Sequence, residues 1–143
     1  MIDLSRTDTL LLLNPRVPEA PCQRARVLVE SHAPRTGLVW LLTSGSQSEG
    51  RLVGLTRDAI HASAQAVNAH LQATQADRWM LTLPTFHVGG LGVIARASLT
   101  RSSVNAPFEE KKWEASFFCE VARREKITLT SLVPTQLYDL VAL

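Results

Sequence analysis

The chain has 143 residues, 45% of them hydrophobic and 20% charged. That length and balance describe one soluble globular domain with enough chain to bury a core. Fifteen Lys and Arg against thirteen Asp and Glu leave a formal charge of only +2, which argues against a nucleic-acid partner, and the run Leu10–Leu13 is far too short for a membrane span or a signal peptide.

Residues 1–37 read as a weakly patterned lead-in. Leu10–Leu13 predicts a short buried strand, stopped by Asn14-Pro15 and Pro18. Cys22–Ser31 predicts a short helix, and residues 33–37 a turn. The two cysteines, Cys22 and Cys119, fit no metal spacing and read as free thiols of a cytoplasmic protein.

Leu38–Leu42 is a continuous apolar run, expected of a strand buried on both faces. A loop rich in hydroxyls and glycines follows at residues 43–51, and Leu52–Leu55 is again extended. Thr56 then looks like an N-cap with Asp58 in the first turn, opening a helix to about Gln72. Ile60, Ala64, Val67 and Leu71 fall on one face of it. Trp79–Leu83 predicts a strand ended by Pro84, and Gly89-Gly90 a loose turn. Leu91–Leu99 predicts a small helix, Ser102–Val104 an edge strand, and Pro107–Glu125 a longer helix whose basic end at Arg123-Arg124 suits its dipole. Ile127–Leu132 predicts a strand, and Pro134 the first position of a helix running to Leu143. Strands alternating with helices imply an α/β fold, a mostly parallel layered sheet with flanking helices. The last helix reaches the final residue without a C-cap, which reads as a chain cut from something longer.

Two motifs carry chemistry. The loop at residues 43–51 follows a buried strand with Thr43, Ser44, Ser46 and Ser48 hydroxyls, Gly45 and Gly50, and the forked cation of Arg51. Backbone N–H groups of such a loop can wrap an anion, although the same composition also makes an ordinary polar turn. A Walker A loop is excluded, because Arg51 and Leu52 stand where Lys and Ser/Thr are required. The second motif, Leu83-Pro84-Thr85-Phe86-His87-Val88-Gly89-Gly90, places an imidazole in an apolar, glycine-flanked turn. Its residues alone allow a buried structural histidine as readily as a functional one. His32, His61 and His70 lack partners at ligand spacing and read as surface or structural.

In this order the two motifs resemble the adenylate-forming superfamily of acyl-CoA ligases, luciferases and peptide-synthetase adenylation domains. Thr43-Ser44-Gly45-Ser46, Val53 and Leu55-Thr56 match that family's phosphate loop and the helix after it. Gln47, Ser48, Gly50 and Arg51 stand where the family has Thr, Gly, Pro and Lys, and Arg57 stands for its His. The second motif matches Leu-Pro-x-Phe-His-x-x-Gly throughout. Asp77–Pro84, Gly89–Val93 and Ser131–Leu137 are most similar to the o-succinylbenzoate–CoA ligases of menaquinone biosynthesis.

The resemblance covers residues 38–143 and implies a partial subdomain of an adenylate-forming enzyme's N-terminal domain. It implies ATP and Mg2+ as cofactors and CoA as co-substrate. Thr43, Ser44, Gly45, Ser46, Gln47, Ser48 and Arg51 would meet the nucleotide, with Thr43 also near the metal. His87 would be the catalytic and acyl-positioning residue, with Gly89 and Gly90 lining the acyl and CoA side. The family's later Tyr-Gly-x-Thr-Glu and Thr-Gly-Asp motifs and its mobile C-terminal domain do not occur in these residues. The expectation is therefore a ligase fragment without turnover of its own, prone to self-associate through an exposed sheet edge. The alternative is a stand-alone, non-catalytic binding module built on the same fold. Both readings place the two loops at the carboxyl rim of one shared sheet.

Overall fold

The computed structural model describes residues 2–4, 7–31, 37–43, 51–109 and 111–143. In chain order its elements are β1 (Leu10–Leu12), α1 (Glu19–Ser31), β2 (Leu38–Thr43), β3 (Arg51–Thr56), α2 (Arg57–Leu71), β4 (Arg78–Met80), α3 (Val88–Thr100), β5 (Ser103–Asn105), α4 (Ala115–Arg124), β6 (Leu129–Thr130) and α5 (Pro134–Val141). The fold is α/β as expected, with β1 parallel to β2 in one sheet and β4 parallel to both β5 and β6 in another. β3 runs antiparallel to β2, so the loop between them closes a hairpin. No helix among the described residues is long and apolar enough to cross a membrane.

The strand orders are β1-β2-β3 and β5-β4-β6. This corrects the expectation of one shared sheet: β2 and β4, which lead into the two motifs, belong to different sheets. The physical reason is the hairpin, since β3 occupies the edge of β2 where a parallel neighbour would otherwise pair. One apolar core still joins both halves, built from Val39 and Leu41 of β2, Ile60 and Ala64 of α2, Trp79 of β4 and the inner residues of α3. Trp79, Val93 and Ala95 have no exposed surface.

Several boundaries moved for identifiable reasons. α1 begins at Glu19, ahead of the expected Cys22, because Pro21 falls within the first turn, where a missing N–H costs no helical bond. Leu4, Cys22 and Ala25 of the lead-in are all buried. α2 is capped as expected, the Thr56 hydroxyl accepting from the Ala59 N–H at 3.1 Å. Its buried face ends on Asn68 instead of Leu71, which is exposed, because the Asn68 amide donates to the Arg96 carbonyl of α3 at 2.9 Å. β4 and β6 are shorter than expected: they pair only at Trp79–Leu129 and Met80–Thr130, and beyond them side chains take over, as when the Thr82 hydroxyl donates to the Ser131 carbonyl at 2.6 Å.

α4 starts at Ala115, not near Pro107. Phe108 and Trp113 are five apart, which is not a helical repeat; their rings instead sit 5.4 Å from each other, and the Trp113 indole N–H donates to Asp139 at 2.8 Å. Arg123 and Arg124 do close α4, and Pro134 opens α5. Arg57, where the resembling family carries His, donates from its guanidinium to the carbonyls of Leu4, Asp8 and Gly37. It ties the lead-in to the start of α2, a task that suits a planar fork of donors.

Candidate functional site

The site is built around the turn from β4 into α3. After Met80 the chain keeps one strand-like bond, Leu81 N–H to the Asn105 carbonyl at 2.8 Å, then bends at Pro84. The His87 N–H returns to the Pro84 carbonyl at 3.1 Å, and the His87 carbonyl accepts from Leu91 as the first bond of α3. Gly89 and Gly90 are therefore not a loose turn but the first turn of the helix. The cause is close approach: a Cβ on Gly90 would fall on the backbone carbonyl oxygens of Leu83 and Pro84. Only glycine lets the helix start seat against the bend that precedes it.

His87 itself is exposed, which removes the buried structural alternative. It stands at the N-cap of α3 without making a side-chain cap bond, and its ring lies 4.8 Å from that of Phe86. It borders a cleft of about 890 Å3 at the carboxyl end of β4, whose walls include Thr82, Phe86, Trp113 and Gln136. The next two residues, Val88 and Gly89, face a second cavity of about 330 Å3 between α2 and α3, with Leu55, Ile60 and Arg96. The turn thus contributes to two adjoining spaces.

Arg96 is a candidate site residue that the sequence motifs do not single out. α3 is buried nearly all round, and Arg96 is the single charge inside it, a signal that was available in Leu91–Leu99. Its guanidinium donates to the Ser131 hydroxyl at 2.8 Å and lies 5.6 Å from the centre of the Trp79 ring. Its Nε is buried without a partner, and among the described residues no carboxylate pairs with it. Burial pushes its pKa below the ordinary arginine value. A half-buried cation without an acid, on the wall of an apolar cavity, is chemically suited to receive a carboxylate.

The other motif is only partly in view. Ser44, Gly45, Ser46, Gln47 and Ser48 lie outside the described residues. Thr43 and Arg51 face each other as the last paired residues of the hairpin, the Thr43 hydroxyl donating to the Arg51 carbonyl at 3.0 Å, and both are exposed. Neither lines the His87 cleft or the Arg96 cavity. Among the described residues no group of three His, Cys, Asp or Glu is placed to hold a metal. Thr43 keeps its oxygen lone pairs after donating its proton, so it fits as one oxygen ligand, and the exposed Arg51 fits a phosphate.

The sequence and fold that carry this turn match a known class of enzyme. The family model described as AMP-binding enzyme matches residues 5–143, starting well before Leu38 where the motif resemblance begins. The chain belongs to the AMP-binding enzyme family. Among curated relatives, indoleacetate–CoA ligase of Aromatoleum aromaticum is 32% identical over 110 residues, covering 76% of this chain and 21% of that protein. The 2-succinylbenzoate–CoA ligase of Lactococcus lactis is 33% identical over 97 residues, covering 66% and 20%. The chain therefore spans about a fifth of the length of these relatives. Among solved structures, the o-succinylbenzoate CoA synthetase of Bacillus subtilis in complex with its acyl-adenylate intermediate superimposes with a TM-score of 0.65 at 26% identity, over 73% of this chain and 27% of that one. The same enzyme with ATP and magnesium gives 0.65 at 26% identity, over 73% and 21%.

Proposed function

We propose that these residues form the acid-binding part of an acid–CoA ligase's N-terminal domain. The parent reaction is ATP-dependent adenylation of an aromatic carboxylic acid such as o-succinylbenzoate, followed by thioester formation with CoA. The observation that carries this reading is Arg96, a half-buried guanidinium without an acid partner, in an apolar cavity that adjoins the His87 turn. In this reading Arg96 receives a carboxylate of the acid, while Gly89 lets the acid approach the backbone at the helix start. His87, on the neighbouring cleft, orients the reacting carboxylate. Thr43 and Arg51 at the hairpin ends hold the nucleotide's phosphates, and Thr43 offers an oxygen to Mg2+; when bound, that ion would neutralise charge on the phosphates.

Adenylation needs in-line attack at the α-phosphate with cations around it, and the family's later Tyr-Gly-x-Thr-Glu and Thr-Gly-Asp motifs, which would serve it, are not among these residues. These residues alone are expected to bind without turnover. Incubation with ATP, Mg2+ and o-succinylbenzoate should release no pyrophosphate at an enzymatic rate, and turnover at such a rate refutes the inactivity. Calorimetry with o-succinylbenzoate tests the site. Arg96→Met should weaken binding by about tenfold or more, because a desolvated ion pair is lost, while stability stays within about 1 kcal/mol, because the lost bond to the Ser131 hydroxyl is offset by relief of a half-buried charge that has no acid beside it. Unchanged acid binding in that variant sinks the assignment.

The alternative, a non-catalytic binding module, draws on the hairpin loop, where Ser48 replaces a glycine and Glu49 adds a negative charge. Titration with ATP separates the two: measurable affinity supports the ligase part, and none supports the module.

A further inference from the structure

α5 is amphipathic in the reverse sense. Its one buried residue is Gln136, 7% exposed, whereas Leu137, Tyr138 and Val141 are 55%, 75% and 80% exposed. A surface helix ordinarily buries its apolar stripe and shows its polar side to water. Here the polar side is the anchored one. Pro134 and the bond from the Val133 N–H to Gln136 Oε1, 3.1 Å, set the start of the helix. Asp139 accepts from the Trp113 indole at 2.8 Å, which pins the rotation of α5 against the α4 side. The apolar side cannot roll inward without breaking that bond and exposing Gln136. Val133, Leu137 and Val141 recur every four residues and form one outward stripe, flanked by Tyr138.

The stripe carries no charge, because Asp139, the sole ionised side chain of α5, is turned to Trp113. A charged peptide finds nothing there to pair with, and an anionic lipid surface calls for Lys or Arg beside the apolar residues. A second copy of this chain instead meets the same apolar shape with no like charge to repel it. The stripe exposes on the order of 500 Å2 of apolar surface. Two copies therefore bury about 1,000 Å2, the lower bound for a specific interface. We propose that the outward face of α5 is a self-complementary dimer interface. Two copies pack Leu137, Tyr138 and Val141 against each other about a two-fold axis, with Leu137, the middle of the stripe, at the axis. This surface is distinct from the sheet edge expected to drive self-association, and it does not depend on the ligase reading.

Sedimentation equilibrium of the chain tests it. A reversible monomer–dimer equilibrium is expected, with a dissociation constant between about 1 and 100 μM, as suits an interface of the smallest specific size. Leu137→Glu and Leu137→Arg should each remain monomeric at about tenfold higher concentration, because each sets two like charges against one another at the axis. Mixed in equal amounts, the two variants should dimerise again, since residues at a two-fold axis face each other and the charges are now opposite. Val141→Glu, one turn further on and more exposed, repeats the test at a second position and should also weaken the dimer by about tenfold. Val27→Glu, on the exposed side of α1, is the control and should leave the equilibrium unaltered. A monomer at every concentration up to about 1 mM overturns the proposal. A dimer that persists in Leu137→Glu and Val141→Glu also overturns it and moves the contact to a sheet edge. Equal weakening by Val27→Glu overturns it in favour of unspecific apolar adhesion. None of these outcomes touches the acid site, because α5 does not line the cavity that holds Arg96.

Discussion

The hairpin between β2 and β3 and the turn between β4 and α3 were both singled out for chemistry, yet they are held in place very differently. The hairpin ends on two exposed residues joined by cross-strand pairing and one hydroxyl bond. The β4–α3 turn is fixed from several sides, by the carbonyls of Leu83 and Pro84 against Gly90 and by Thr82 and Arg96 both reaching Ser131. Between the two strands the sequence departs from its family at Gln47, Ser48, Gly50 and Arg51. The turn whose geometry is imposed by packing keeps its motif intact. Tolerance to substitution follows how many neighbours dictate a backbone position.

Two glycines make the sharpest test of that contrast. Gly90→Ala should destabilise the chain by about 3 kcal/mol in urea unfolding, because the added methyl meets rigid backbone and the helix start must shift. Gly54→Ala on β3 places its methyl 2.8 Å from the Trp40 ring, a side chain and not rigid backbone, and should cost less, about 1 kcal/mol. Equal costs at the two positions would erase the distinction between an imposed turn and a tolerant hairpin.

A second contrast is electrostatic. Asp77, just before β4, accepts from the Thr74 N–H at 2.7 Å and from the Thr128 hydroxyl at 2.7 Å. These bonds, the backbone one foremost, hold its carboxyl below the ordinary aspartate value. A depressed folded pKa adds stability that is present above the unfolded value and lost as pH falls through the folded one. The melting temperature of the parent chain should therefore exceed that of Asp77→Asn near neutral pH, and the gap should close as pH drops below the ordinary carboxylate range. A gap that stays constant down to strongly acid pH contradicts the assignment. The smallest effect belongs to Thr43→Val, which removes one exposed hairpin bond and should cost about 0.5 kcal/mol. Its informative readout is ATP affinity, which should fall if the hydroxyl serves the nucleotide.

Local chemistry made much of this molecule legible in advance. The Thr56 cap, the start of α2, the continuous apolar run of β2, the basic end of α4 and Pro134 at the head of α5 all follow from bonds or restrictions within a few residues. The intact histidine motif and the altered hydroxyl-rich stretch at residues 43–51 were equally readable, because each is a contiguous string. What escaped was set by distant partners. Arg96 looked like one polar residue in an apolar helix until Ser131, 35 positions away, and the wall of the α2–α3 cavity gave it a setting. Phe108 and Trp113 passed for helix residues until their rings met each other and Asp139 claimed the indole.

The amino-acid string by itself determined the family, the alternation of strands and helices and the position of the histidine turn, since motif and periodicity are carried by near neighbours. Only the tertiary structure decided that the two motifs hang from separate sheets, that Gly90 belongs to a helix, and that Arg96 meets Ser131 on the wall of the α2–α3 cavity. Those outcomes depend on which strand edge is already taken and which backbone atoms come within touching distance, and both are settled when the whole core closes.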